Sequence, residues 1–345
     1  DYLRDNRDEN MGFLSKTLLP DGTEIPGTNF DYNYLQHRKV DVVSSALDFI
    51  LPFEKYKITA GAKVSFTNTR NGINYDTSDP TLVQDDYFRY KEQIYALYAD
   101  YSREFSERFS MQLGLRMEHT RTTGISEAKD TEDKHDYTRL FPTVYLLYSP
   151  TDGHALNFSF SNRISRPSQN MVNPFPFYQN KYTYACGRED LKPSYTYNAE
   201  LGYTLKNNFN VSAYYSYSDD VFFQVVDLDA ETNVTSFLWE NFMQTHAFGL
   251  NNSYTFRTKW LQAYAQHGVS YRRTTSSAAT TSPEEKGWAY DASLRNTFFF
   301  NEKKTLLATL SGSYSSRQYQ GIYLMSPTYS VSAGMLYRLS LIHIS

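Results

Sequence analysis

The chain has 345 residues, with 34 Lys or Arg against 38 Asp or Glu and a formal net charge of -4. This near-balance gives no reason to expect nucleic acid as a partner, the single cysteine, Cys186, excludes an internal disulfide framework, and no apolar run approaches the roughly 18 residues of a membrane-crossing helix. Aromatic residues are abundant instead, 31 Tyr and 23 Phe, and both types suit strands.

Residues 1–37 are polar, with turn signals at Asp21-Gly22 and Pro26-Gly27; they read as an outer loop or a partial hairpin around Asp21. From about Arg38 a period-two rhythm sets in. Val43, Leu47, Phe49 and Leu51 mark a first strand, and Ile58, Ala60, Ala62, Val64 and Phe66 oppose Thr59, Gly61, Lys63, Ser65 and Thr67 on a second. A polar loop with Asn71-Gly72 and Asp79-Pro80 follows. Tyr95, Leu97, Ala99 and Tyr101 then mark a third strand, Met111, Leu113, Leu115 and Met117 a fourth, and Val144, Leu146 and Tyr148 a fifth, with a charged loop over 126–136 between the last two. Leu156, Phe158 and Phe160 begin the next strand. A Pro- and aromatic-rich segment of more than 25 residues separates it from the alternation Tyr195 to Leu205. Six more runs follow, led by Val211, Phe248, Trp260, Trp288, Leu306 and Tyr329, with loops over 227–241, 274–286 and 318–326. His267 falls on a nominally apolar face. About thirteen strands are thus expected, most longer than the roughly 5–6 residues typical of globular strands and long enough for the about 9–11 needed to cross a bilayer at a tilt.

The connections are more telling than the strands. Short turns fall near residues 53, 106, 152, 208, 259 and 302, and the connections between them are long. All short turns then lie at one end, the pattern of an all-β, antiparallel up-and-down transmembrane β-barrel with short periplasmic turns and longer outer loops. Aromatics beside those turns (Phe53, Tyr56, Phe105, Phe109, Tyr148, Phe209, Phe256, Trp260, Phe298) suit an interfacial girdle. Charges deep in the strands, Lys63, Asp100, Arg116, Glu118, Arg163, Glu200 and Arg295, are too costly to face hydrocarbon and are expected to face the lumen. Leu156, Phe158, Phe160, Leu201 and Tyr203 should face lipid. The mixed signs of the inward charges fit a plugged lumen better than a single-sign ion filter.

No catalytic constellation is visible, and the seven His are scattered without metal-ligand spacing; no enzyme, cofactor or metal site is expected. Acidic loop residues such as Asp85, Asp86, Glu132 and Asp136 read as solvated, for no loop has a calcium-loop spacing. In the long segment, Phe175, Phe177, Tyr178, Tyr182 and Tyr184 allow two readings: stacking on a ligand above the barrel mouth, or packing of the loop against the wall.

The stretches Asn162-Arg163-Ile164-Ser165-Arg166-Pro167, Asn173-Pro174-Phe175 and Gly187-Arg188-Glu189-Asp190-Leu191-Lys192-Pro193 resemble the barrel of TonB-dependent outer-membrane receptors, in particular the outer-membrane β-barrel family of Bacteroidetes-type bacteria. Arg188-Glu189 stand where that family tends to have Asn-Pro. The resemblance implies a barrel of about 22 strands, an N-terminal plug and TonB box, and energised uptake of a large nutrient such as a siderophore, glycan or peptide, with a surface lipoprotein as a further partner. On that reading residues 38–340 are the later portion of such a barrel. A first residue Asp1 without initiator Met or leader, and a broken alternation over 341–345, then read as the ends of a fragment. A passive porin-like channel and a surface β-protein for adhesion are the alternatives.

Overall fold

A computed structural model of the chain describes residues 1–26, 30–77 and 85–338. In chain order the strands are β1 (Tyr2–Ser15), β2 (Phe30–Pro52), β3 (Tyr56–Thr77), β4 (Asp86–Ser106), β5 (Phe109–Ser126), β6 (Thr131–Tyr148) and β7 (His154–Ser165). The following connection carries helix α1 (Gln169–Val172) and two short strands, β8 (Phe177–Asn180) and β9 (Thr183–Cys186). Then come β10 (Ser194–Leu205), β11 (Phe209–Asp229), β12 (Val234–Arg257), β13 (Leu261–Ser276), β14 (Glu284–Phe299) and β15 (Leu306–Ser315). A small hairpin, β16 (Gln318–Gln320) and β17 (Tyr323–Met325), precedes β18 (Thr328–Tyr337). The long strands pair antiparallel in chain order, β1 to β7, β10 to β15, then β18. This is an up-and-down barrel wall. Among the described residues β1 pairs with β2 and β18 with β15, and each is an edge.

Two expectations need correction. Residues 2–15, read as part of an outer loop or a partial hairpin, form a full strand, β1, and pair with β2 along their whole length, from Tyr2↔Val43 to Ser15↔Phe30. The turn at Asp21 is present inside that hairpin, where Leu18 bridges Glu24 and the Asp21 carboxylate accepts from the Thr23 amide at 2.9 Å. The loops placed at 126–136 and 227–241 shrink to 127–130 and 230–233, because β5, β6, β11 and β12 run past the point where their apolar alternation stops. Both discrepancies have one cause. Alternation reports where the outer face leaves hydrocarbon, whereas backbone pairing continues into water with polar residues on both faces. The Asp79-Pro80 turn and the segment 341–345 lie outside the described residues.

Register assigns the two faces. Tyr32, Tyr34, Ile73 and Phe88 are buried together against the long connection, which makes theirs the inner face. Carried through the pairings Ala46↔Lys63, Gly61↔Tyr98, Tyr98↔Arg116 and Ala96↔Glu118, that face includes Lys63, Asp100, Arg116 and Glu118; continued from strand to strand it includes Arg163, Glu200 and Arg295. Leu47, Leu97, Leu115, Leu140, Leu201, Leu250 and Leu294 are exposed on the other face, which is the one that lipid covers. At the short-turn end Phe53 stacks on Tyr56 at 4.5 Å and Phe105 lies 5.3 Å from Phe109. A second aromatic tier sits nearer the long connections: Phe66–Tyr95, Tyr197–Tyr217 and Phe248–Tyr271. Between β10 and β11 Lys206 and Asn207 both take positive φ, 48° and 56°; that left-handed pair reverses a hairpin with the twist its strands require.

Candidate functional site

The connection between β7 and β10 turns inward and crosses the concave face. Arg166 begins it. Its guanidinium donates to Glu118 at 2.5 Å and to Thr120 at 3.3 Å, while Arg116 donates to the other Glu118 oxygen at 2.6 Å. Glu92 lies 3.7 Å from Arg166. Two cations thus hold one buried carboxylate, which a lone Glu in this place could not tolerate.

Beyond Pro167 the chain makes one helical turn, α1, and reaches Asn173-Pro174-Phe175. The Asn173 side chain accepts from the Phe175 amide at 3.2 Å and sets the bend. Phe175, 1% exposed, meets Phe88 edge-on at 6.4 Å. The Pro176 carbonyl accepts from the hydroxyls of Tyr32 (3.3 Å) and Tyr75 (3.2 Å), and Tyr178 packs edge-on to Tyr32 at 5.0 Å. The loop is therefore sealed to the inner face of β2–β4 by aromatic surface and two hydroxyl donors. Burial of these rings in a water-accessible lumen is driven as in a soluble core.

The other side of the loop docks on β12. Residues 234–242 of β12 extend beyond the end of β13 and leave an unpaired edge there. β9 fills it, pairing parallel from Thr183↔Thr235 to Cys186↔Leu238. Arg188 donates to Glu240 at 2.8 Å, and Asn241 exchanges two bonds with the Lys192 backbone at 2.8 and 2.9 Å. The return to the wall passes through Gly187, whose amide donates to the Asn173 carbonyl at 2.9 Å. A Cβ there would lie 2.2 Å from that oxygen and 2.7 Å from the Met171 carbonyl oxygen. Only glycine allows the two arms of the loop to approach this closely. Cys186 directs its Sγ at the Pro174 carbonyl, 3.0 Å away, and burial pushes its thiol pKa up.

Two cavities open on the inner side of the wall, one of them bordered by the loop. That one, of about 320 Å³, lies between the loop and the wall and is lined by Arg7, Glu9, Tyr34, Gln36, Arg38, Asn170, Phe177, Ala185 and Trp239. The other, about 510 Å³, brings together Tyr98, Asp100, Arg116, Glu118, Phe141, Thr143, Asn162 and Arg163. Four of the seven charges read as inward-facing thus meet at one place, Asp100, Arg116, Glu118 and Arg163; Lys63, Glu200 and Arg295 line other parts of the inner face. Of the five aromatics singled out in the loop, Phe175 is sealed in the core, Phe177, Tyr178 and Tyr184 are half-buried, and Tyr182 is 54% exposed. The wall residues Arg7, Tyr34, Arg38 and Trp239 were not anticipated. A signal existed: Tyr32, Tyr34, Ile73, Tyr75, Phe88 and Tyr90 put apolar bulk on the parity that is polar lower in the same strands.

The histidines do not form a site. His154, His246 and His267 each bond a tyrosine hydroxyl on the lipid-covered face, Tyr203 at 2.7 Å, Tyr215 at 2.8 Å and Tyr290 at 2.9 Å. This gives the polar ring atoms partners on an otherwise apolar surface. Among the described residues no three His, Cys, Asp or Glu converge as metal ligands.

Comparison with solved structures gives the same architecture. The copper transporter OprC aligns with a TM-score of 0.65 at 13% identity, over 96% of this chain and 57% of that one. The siderophore receptor PiuA from Acinetobacter baumannii gives 0.58 at 12%, over 98% and 58%. The ferric yersiniabactin uptake receptor FyuA from Yersinia pestis gives 0.58 at 14%, over 89% and 48%. The chain spans about half the length of these relatives in fold. No curated protein sequence matches it. The family model described as "Outer membrane protein beta-barrel family" matches residues 1–340. With its lipid-covered apolar belt, its aromatic tiers and its bonded inner face, the chain is an outer-membrane β-barrel wall of a Gram-negative bacterium and belongs to the outer membrane protein beta-barrel family.

Proposed function

We propose that this wall serves an energised uptake receptor for a nutrient too large for passive pores, such as a siderophore, glycan or peptide. The observation that carries the reading is the loop from Arg166 to Pro193, bonded to β2–β4 on one side and to β12 on the other. Such a strap covers the inner face of β2–β4 and reaches across to β12, which narrows the passage along the concave face. The cavity lined by Arg7, Glu9, Arg38, Tyr34 and Trp239 sets two ion-paired arginines, Arg7 with Glu9 and Arg38 with Asp5, beside flat aromatic surface, a combination that suits a ligand with polar and ring groups. The neighbours in fold include proteins described as transporters and siderophore receptors. On this reading the partners are an N-terminal plug and, through it, TonB, with a surface lipoprotein as an outer partner.

The test is uptake by intact cells expressing the complete protein, measured for a panel of labelled siderophores, oligosaccharides and peptides. An energised receptor takes up one class, and uptake stops when the proton-motive force is dissipated or TonB is deleted. Flux that survives both treatments would instead identify a passive channel.

A further inference from the structure

Above the apolar belt, on the lipid-covered face, three cations stand directly opposite one another across three strands. Lys39 of β2 pairs with Arg70 of β3, and Arg70 pairs with Arg89 of β4. Lys91 lies two residues further along β4 on the same face. Directly opposed side chains stand about 5 Å apart at Cβ, and like charges in that relation repel. A register that stacks three of them needs an anion to be favourable.

Neighbouring carboxylates supply too little: Asp41 lies near enough to Lys39 to attract it but is shared with Arg4. Asp41 is taken by Arg4 at 2.6 Å and by the Tyr2 hydroxyl, Asp8 by His37 at 2.8 Å, and Asp85 by the Tyr75 amide at 2.9 Å. Among the described residues none of Lys39, Arg70, Arg89 or Lys91 makes an ion pair. The opposite flank differs. There the outward cations Arg273 and Lys286 share Glu284, with bonds of 2.6 Å each.

Height identifies the anion. Lys39, Arg70 and Lys91 each sit four residues from the first large apolar side chain on their own strand, Val43, Phe66 and Tyr95, and Arg89 sits six from Tyr95. Val43, Phe66 and Tyr95 are exposed to lipid. Four residues are about 13 Å along a strand and less along the membrane normal once it tilts. The row therefore lies at the headgroup level, on the side of the long connections, which is the outer leaflet. A cavity of about 740 Å³ opens beside Lys39 and Arg70. Asp8, Asp85, Asp86 and Glu127 also line it and keep their negative charge, since the donors to the first three are an imidazole, amides and a hydroxyl; a bound phosphate therefore has to seat on the Lys39, Arg70, Arg89 and Lys91 side of the cavity.

We infer that Lys39, Arg70, Arg89 and Lys91 form a binding site for a phosphorylated lipid headgroup of the outer leaflet. Arginine forks match phosphate oxygens in pairs, and lysines add point charge. The inference is independent of the proposed uptake function, since it concerns the opposite face of the sheet.

The test uses protein purified from native outer membranes and placed in nanodiscs of zwitterionic phospholipid. The discs are doped with a bisphosphorylated glycolipid or with its dephosphorylated form, and retained glycolipid is measured by native mass spectrometry. The wild type should retain the phosphorylated form alone. The variant Lys39→Gln/Arg70→Gln/Lys91→Gln should lose roughly a hundredfold in affinity, at about fivefold per cation. Arg273→Gln on the other flank should change nothing. Equal retention of the dephosphorylated lipid by the wild type would overturn the inference without any variant. So would equal loss in Arg273→Gln, or displacement of the lipid by millimolar inorganic phosphate, which would make the row a free-anion site.

Discussion

On the flank from β1 to β6 the inner face is covered by the long loop; on the flank from β13 to β18 the small β16–β17 hairpin meets the upper ends of β13 and β14, where Arg272 donates to the Tyr319 carbonyl at 2.7 Å, and the lower inner face of β14, β15 and β18 is bare. The covered flank presents Tyr32, Tyr34, Ile73 and Phe88 inward, all buried beneath Val172, Phe175 and Leu191 of the inward loop. Its polar inner residues are bonded too, Gln36 to Asn71 at 2.9 Å and Glu118 to two arginines. The bare flank presents hydroxyls. Ser311 bonds Ser332 at 2.7 Å and Ser313 bonds Ser330 at 2.8 Å across β15 and β18. The strands on both flanks obey the same period of two. What differs is the volume and polarity of the inward residue, and that difference reads out what lies inside: bulky rings where protein packs, small hydroxyls where water does.

Breaking the covered flank tests this most directly. Phe175→Ala removes the ring at the centre of the seal and should cost about 3–5 kcal/mol, as for large-to-small changes in a core. In native outer membranes the segment 166–193 should become cleavable by an added protease while the strands stay protected. Unchanged digestion would show that the loop is held by its β12 contacts instead. Gly187→Ala forces a Cβ against the Asn173 backbone and should cost about 3 kcal/mol, the upper end for overpacking, with the same cleavage pattern.

Arg166→Ala strips one partner from Glu118. The pair is only partly enclosed, with 24% of the Arg166 side chain exposed, so a loss of about 2 kcal/mol is expected, below the range for fully buried pairs. The double variant Arg166→Met/Glu118→Leu should recover most of it, and a denaturant titration of the detergent-solubilised protein distinguishes the two. Recovery that fails would mean the network does more than neutralise Glu118.

The smallest effects sharpen the contrast. Ser311→Ala with Ser313→Ala on the bare flank should change stability by less than about 1 kcal/mol per bond and leave loop cleavage unaltered. Within the loop itself, the raised thiol pKa of Cys186 keeps it protonated near neutral pH, so it should react slowly with a maleimide. A cysteine placed at the exposed position 182, in a Cys186→Ser background, should label at least tenfold faster. Comparable rates would show that the loop opens readily.

Much of the wall was legible because lipid imposes a simple rule. Ile58 to Phe66, Met111 to Met117 and Tyr195 to Leu205 alternate because one side meets hydrocarbon and the other does not, and turns such as Lys206-Asn207-Asn208 carry their own conformational preference. Where the environment ceases to be lipid on one side and water on the other, the rule lapses. β1 has polar residues on both faces along most of its length, from Arg4 to Asn10, and nothing local distinguishes it from a loop; its pairing with β2 makes it a strand. The ends of β5, β6, β11 and β12 were lost to the same cause.

The amino-acid sequence by itself determined the succession of long alternating strands from β2 onward, the end that carries the short turns, the girdle beside them and the alternation that sets charged residues opposite apolar ones, since each follows from neighbours close in the chain. Tertiary structure alone decided that the segment after β7 folds inward, that Arg166 meets Glu118 across 48 positions, that Gly187 touches Asn173, and that Lys39, Arg70 and Arg89 fall into one row. Those relations depend on the register between strands and on the direction of a long loop. Both are settled by packing and hydrogen bonding between distant parts of the chain.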